Sequence, residues 1–206
     1  MNPTVRLIRD ECIKSGLKIQ IEDSDVVYAG DEPCSGFFQS EPLRLVVAFK
    51  VPNFLSILIH EYCHFRQWKE LCPEWVAARS LHGLDSNAAV SAWLAGEIDL
   101  DDTMLNDHIE AVMNLELDCE KRTVSFMNEN NMSDLVPAYI KQANAYVLSY
   151  RIVQELRLWN SVGEAPYNDD EILALMPSHF VDINYKLSDT VRHAFLKCYI
   201  KRRSSD

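Results

Sequence analysis

The 206-residue sequence has no C-x-x-C pair, no glycine-rich phosphate loop, no internal repeat and no apolar run of membrane-spanning length. Each absence removes a class. Cys12, Cys34, Cys63, Cys72, Cys119 and Cys198 are too irregularly spaced for a disulfide framework, which makes a reducing compartment the simpler expectation. With no phosphate loop or dinucleotide fingerprint, nothing points to nucleotide chemistry. Basic residues are also short: 20 Lys and Arg face 31 Asp and Glu, a net charge of −11. Such a field repels phosphate backbones and anionic membranes, so neither nucleic acid nor a membrane is an expected partner. The first twenty residues intersperse Arg6, Arg9, Asp10, Glu11 and Lys14 among apolar positions and lack the apolar core of a signal peptide. A soluble, cytoplasmic protein with a sizeable core is the expectation.

What is present is His60-Glu61-Tyr62-Cys63-His64, an H-E-x-x-H inside an apolar run from Phe54 to Trp68. On a helix, residues four apart share a face, so both imidazoles can address one ion while Glu61 sits one step around. Two neutral imidazoles and a third protein ligand hold Zn²⁺ at about 2 Å and leave a position open for water. Glu61 then acts as general base on the metal-bound water and returns the proton to the leaving amine. The plain alternative is a buried helix whose histidines make ordinary hydrogen bonds.

Around the motif the pattern predicts an α+β chain. Val5, Ile8, Cys12 and Ile13 form a helical stripe that Ser15-Gly16 stops. Strand-like runs follow at residues 17–22, 26–29, 36–39 and 43–49, enough for a small sheet of three or four strands, with Gly30-Asp31-Glu32-Pro33 as a breaker. Asn53 is the expected N-cap of the motif helix. Residues 71–107 read as a helical insertion, whose Asp99, Asp101, Asp102 and Asp107 lack the spacing of an EF-hand loop and suit a solvated connection. Long helices are predicted near 107–130 and 135–159, then a loop at 162–166, a short helix at 169–176 and a last helix from Ser188. The expected division is a core over 1–130 and a helical C-terminal extension over 131–206 packed on it.

The helix near 107–130 carries an anomaly. Ile109, Val112, Met113, Val124 and Met127 mark its apolar face, and Glu116, Glu120 and Thr123 fall on that same stripe. Burying an unpaired carboxylate costs several kcal/mol or shifts its pKa, so the pair asks for a histidine, a metal or another cation.

Together, the H-E-x-x-H helix and Glu116-Leu117-Asp118-Cys119-Glu120, an E-x-x-x-D/E pattern, resemble the zincin-type metallopeptidases of the gluzincin kind. The order helix, small sheet, metal helix, glutamate helix is similar to the compact ImmA/IrrE-type enzymes over about residues 1–130. The resemblance implies His60, His64 and Glu116 as metal ligands and Glu120 as acceptor for a ligand histidine, with the order of the two glutamates open. It also implies a strand edging the cleft to pair with extended substrate, at residues 45–49 here; a core strand with both edges covered is the other reading. A Tyr opposite the metal, Tyr146 or Tyr150, would hydrogen-bond the oxyanion, with His179 and His193 as alternatives. A rival third ligand is His82, followed by Gly83 as in SprT-like proteases.

The expected function is zinc-dependent hydrolysis of peptide bonds in a protein or peptide substrate. A regulatory metal-binding interaction protein without turnover, or a metal-dependent hydrolase of a non-peptide amide, are the alternatives. Iron, cobalt or manganese could occupy the same ligand set.

Overall fold

The structure, a computed structural model, describes residues 2–159 and 165–203, with side chains described as far as residue 199. It is an α+β arrangement: a three-stranded mixed sheet and a separate two-stranded hairpin among a majority of helices. Helix α1 (Pro3–Lys14) starts where the Asn2 side chain accepts from the Thr4 N–H, with Pro3 in the first turn, and ends at Ser15. The strands β1 (Lys18–Glu22), β4 (Gly36–Ser40) and β5 (Leu43–Ala48) form the larger sheet in the order β1-β5-β4. β5 runs parallel to β1, with Ile19 opposite Leu45, and antiparallel to β4, with Phe38 opposite Leu45.

This order decides between the two readings of residues 45–49: they form a core strand, not one that edges a cleft. β5 is the middle strand, hydrogen-bonded on both sides, and Leu45, Val46, Val47 and Ala48 are all buried. An uninterrupted apolar run demands cover on both faces, and Leu45 and Val47 pack with Ile8 and Leu58 on one face while Val46 and Ala48 pack with Val27 on the other. Among the described residues the free edge next to the motif helix belongs to β4. A second difference concerns the breaker at 30–33: Glu32–Cys34 forms strand β3, paired antiparallel with β2 (Val27–Ala29). Pro33 is tolerated because the ribbon has only two strands and leaves its N–H side unpaired.

The motif helix α2 (Phe54–Glu70) lies across β4 and β5. Leu58, Ile59, Tyr62 and Phe65 pack with Leu45 and Val47, with Ile8 and Cys12 of α1, and with Cys119 and Met127 of a later helix. Asn53 holds the N-cap position, but its side chain makes no capping hydrogen bond. The insertion folds as α3 (Pro73–Ser80) and α4 (Ser86–Ala95), and α5 (Asp102–Glu129) follows, started by Asp101 accepting from the Met104 N–H at 2.8 Å. α6 (Val136–Leu156) ends before the expected residue 159 because Arg157 turns left-handed, and the Arg157 guanidinium donates to the Trp93 carbonyl at 2.9 Å from Nε. A second cluster joins Val90 and Trp93 of α4, Ile109, Val112 and Met113 of α5, and Val147 and Tyr150 of α6. A 3₁₀ turn at Pro166–Asn168, then α7 (Asp170–Leu175) and α8 (Asp189–Arg203), are the last described elements; residues 162–164 of the expected loop lie outside the described residues. Among the described residues no helix is long and apolar enough to cross a membrane.

Candidate metal centre

α2 carries His60, Glu61 and His64 on the flank where it meets α5 and the sheet edge. The approach to β4 is close enough to require a glycine. A Cβ on Gly36 would stand 2.8 Å from Ile57 Cγ2, 3.2 Å from the Val46 carbonyl oxygen and 3.3 Å from Glu61 Cγ. The free edge of β4 in turn presents the Phe38 N–H to the Glu61 carboxylate. Burial foremost pushes the Glu61 carboxyl above its ordinary range, and the facing charge of Glu116 adds to this against the pull of His60 and His64.

α5 crosses behind α2 and turns Glu116 and Glu120, 6 % and 4 % exposed, toward the imidazoles. Glu116 Oε2 lies 3.5 Å from His60 Nε2 and 3.4 Å from His64 Nε2, and the two Nε2 atoms are 3.0 Å apart. Ligands bonded to one tetrahedral ion at ~2.0–2.1 Å stand about 3.3 Å from one another. Glu116 Oε2 is buried, and neither ring reaches it with the geometry of a good hydrogen bond. Burial raises the Glu116 pKa, but the charge of His64 and the contacts with both rings outweigh it and hold the carboxyl well below the usual range. For the rings burial works in the opposite sense, yet Cys119 and the carboxylates prevail and keep both imidazoles well above their ordinary value.

The far nitrogens explain why this triad needs a positive charge. His60 Nδ1 faces two acceptors: Glu120 Oε1 at 3.3 Å and Cys119 Sγ at 3.6 Å, the thiol itself donating to the His60 carbonyl. His64 Nδ1 is 2.8 Å from Gln67 Oε1. A neutral ring whose proton sits on Nδ1 has a bare lone pair on Nε2. Two such lone pairs and a carboxylate oxygen therefore converge, and only a shared proton or a cation relieves their repulsion. The donor set, two imidazole nitrogens and one carboxylate oxygen, suits Zn²⁺.

Glu120 accepts a second hydrogen bond from the Tyr139 hydroxyl on α6. Tyr139 and Tyr146 wall a cavity of about 800 Å³ that reaches His60 and Glu61 from the side of β3 and β4. The Tyr146 ring stands 6.2 Å from that of His60, and its hydroxyl is 3.1 Å from that of Tyr150. Tyr150 is buried in the cluster behind and does not line the cavity. Tyr167, in the 3₁₀ turn, does line it and packs edge-on against Tyr146 at 5.2 Å.

The other candidate residues lie elsewhere. His82 Nε2 is 2.9 Å from Asp107 Oδ2, and His82 does not line the cavity. His179 and His193 are exposed and likewise absent from its walls. Asp118, on the far side of the α5 stripe, is partly buried and accepts from Gln67 Nε2 at 2.8 Å and from Arg122 Nε at 2.6 Å. Cys119, Gln67, Tyr139 and Tyr167 do not stand out as site residues in the sequence. Gln67 lies three residues after His64, one turn along the same face, and Cys119 lies three after Glu116; that spacing is the available signal. Cys119 could ligate in its own right, since Sγ lies within 4.8 Å of a nitrogen of each ring, but at His60 it faces Nδ1, the nitrogen opposite the one that faces Glu116. No family model, curated protein or solved structure matches this chain, so its function is read from these residues and their geometry.

Proposed function

We propose that this chain is a zinc-dependent metallopeptidase of the zincin type, gluzincin-like in its ligands, acting in the cytoplasm on protein or peptide substrates. The observation that carries the reading is the convergence of His60 Nε2, His64 Nε2 and Glu116 Oε2 within 3.0–3.5 Å, with both Nδ1 atoms already facing acceptors. Zinc bound there would supply the charge that acidifies water and polarises a carbonyl.

The chain's own groups would do the rest. Glu61, buried and with a raised pKa, suits both halves of a proton relay: its carboxylate accepts the proton of the attacking water and returns it to the departing amide nitrogen. Glu120, held by Tyr139, keeps His60 from rotating or changing tautomer. Two hydroxyls are available to the oxyanion. Tyr146 and Tyr167 both line the cavity, and Tyr146 turns its O–H to an oxyanion if Tyr150 takes the donor role in the bond they share. The free edge of β4, not β5, is the strand an extended substrate would join.

The test is peptide cleavage by zinc-loaded wild type and Glu61→Gln at equal metal content. Cleavage by the wild type, reduced about 10²–10⁴-fold in the variant, is the expected result. Zinc binding with no turnover of peptides in either protein would favour an interaction protein that keeps the metal, and turnover of a non-peptide amide alone would shift the substrate class.

A further inference from the structure

We infer that Gln67 is the positioning residue that sets the tautomer of His64, presenting Nε2 to the metal; the inference rests on the metal reading above. Gln67 is completely buried, unusual for an amide side chain with both an NH₂ group and an oxygen to satisfy. It satisfies them across two helices. Its Nε2 donates to the Leu115 carbonyl at 2.9 Å and to Asp118 Oδ2 at 2.8 Å, both on α5, and its Oε1 stands 2.8 Å from His64 Nδ1.

The orientation of this amide follows from its partners. Leu115 O and Asp118 Oδ2 only accept, so the group facing them is the NH₂, and the carbonyl oxygen must face the ring. An amide oxygen cannot donate; His64 Nδ1 therefore carries a proton, and in the neutral ring the lone pair lies on Nε2, 3.4 Å from Glu116 Oε2. Asp118 is held in its turn by Arg122, whose Nη1 donates to Glu70 Oε2 at 2.5 Å. The two ligand rings are thus backed differently: His60 by a carboxylate, His64 by a neutral amide anchored through Asp118 and Arg122 to the outer face of α2.

A side chain that merely ties α2 to α5 would act through its NH₂ group, whereas setting the tautomer needs only the oxygen. Two variants separate these roles. Gln67→Met keeps the volume and removes both functions. Gln67→Glu keeps an acceptor for Nδ1 and loses the donations to Leu115 and Asp118.

The primary measurement is long-range ¹H–¹⁵N correlation of the histidine rings in zinc-stripped protein, at a pH high enough to leave them neutral. Competition for Zn²⁺ against a chromophoric chelator is the second. Expected are an Nδ1–H tautomer for His64 in the wild type and in Gln67→Glu, and a gain of the Nε2–H tautomer in Gln67→Met with His60 unchanged. Zinc affinity should fall about 10–100-fold in Gln67→Met and by less in Gln67→Glu. An unchanged His64 tautomer in folded Gln67→Met, or an Nε2–H tautomer in the wild type or in Gln67→Glu, overturns the inference. If Gln67→Met does not fold, as judged by circular dichroism, the wild type and Gln67→Glu decide by the same criterion. A wild type with the Nδ1–H tautomer that binds no zinc would overturn the metal reading, while the tautomer comparison would still judge Gln67.

Discussion

At the scale of single residues, the proposed site brings two ring nitrogens and a carboxylate oxygen within 3.0–3.5 Å of one another. Glu116 is the residue on which the ligand assignment turns, because its Oε2 is buried and without a hydrogen-bond partner. Glu116→Gln should weaken zinc binding by at least about 100-fold, more than loss of an outer partner does. Cys119→Ser should weaken it less, because that thiol faces His60 Nδ1 and not the converging Nε2 atoms. Chelator competition on the two variants checks both, and the reverse order would move the third ligand to Cys119. Gly36 gives a test of packing: a methyl there meets Ile57 and the backbone of Val46. Gly36→Ala should cost ~1–3 kcal/mol in urea denaturation, and its displacement of Glu61 should lower turnover further than the stability loss explains.

At the scale of elements, two helices meet to make the site, and their N-termini are built differently. Asp101 caps α5 with a 2.8 Å bond to the Met104 N–H, whereas Asn53 at the start of α2 makes no such bond. Asp101→Ala should therefore destabilise by ~1 kcal/mol, and Asn53→Ala by much less, in paired chemical denaturations. A cost at Asn53 equal to that at Asp101 would contradict this account of α2. The start of α2 is held instead by backbone bonds, Phe54 N–H to Val51 O at 3.1 Å and Ile57 N–H to Asn53 O at 3.0 Å, and by the apolar face pressed on β4 and β5.

At the scale of the whole molecule, α2, α5 and α6 come from distant parts of the chain, and a metal would tie the first two together. Zinc that binds only the folded state stabilises it by about 2.7 kcal/mol when free zinc is a hundredfold above Kd. Removing it with a chelator should lower Tm, and stoichiometric zinc should restore it. The pH dependence follows from the rings. His60 and His64 titrate above the ordinary imidazole value in the metal-free fold. Their protonation stabilises that fold below the ordinary value, and the contribution is lost as pH rises through the raised ones. Zinc must displace those protons, so its apparent affinity should increase with pH over the same interval, with proton release visible as a buffer-dependent binding enthalpy in calorimetry. An affinity flat across that interval would remove the imidazoles from the ligand set.

What the sequence determined by itself was local. The H-E-x-x-H spacing puts two imidazoles on one helical face, and the apolar stripe of α5 makes Glu116 and Glu120 conspicuous, because 3.6-residue periodicity can be read without any fold. The tertiary structure alone decided what those faces meet: that β5 lies inside the sheet and β4 at its edge, that Glu116 approaches both Nε2 atoms while Glu120 approaches His60 Nδ1, and that Gln67 and Cys119 occupy the far side of the rings. Strand order and the crossing of α2 with α5 depend on contacts between residues far apart in the chain, such as Gln67 with Asp118. No periodicity along the chain encodes which nitrogen of a ring faces which acceptor.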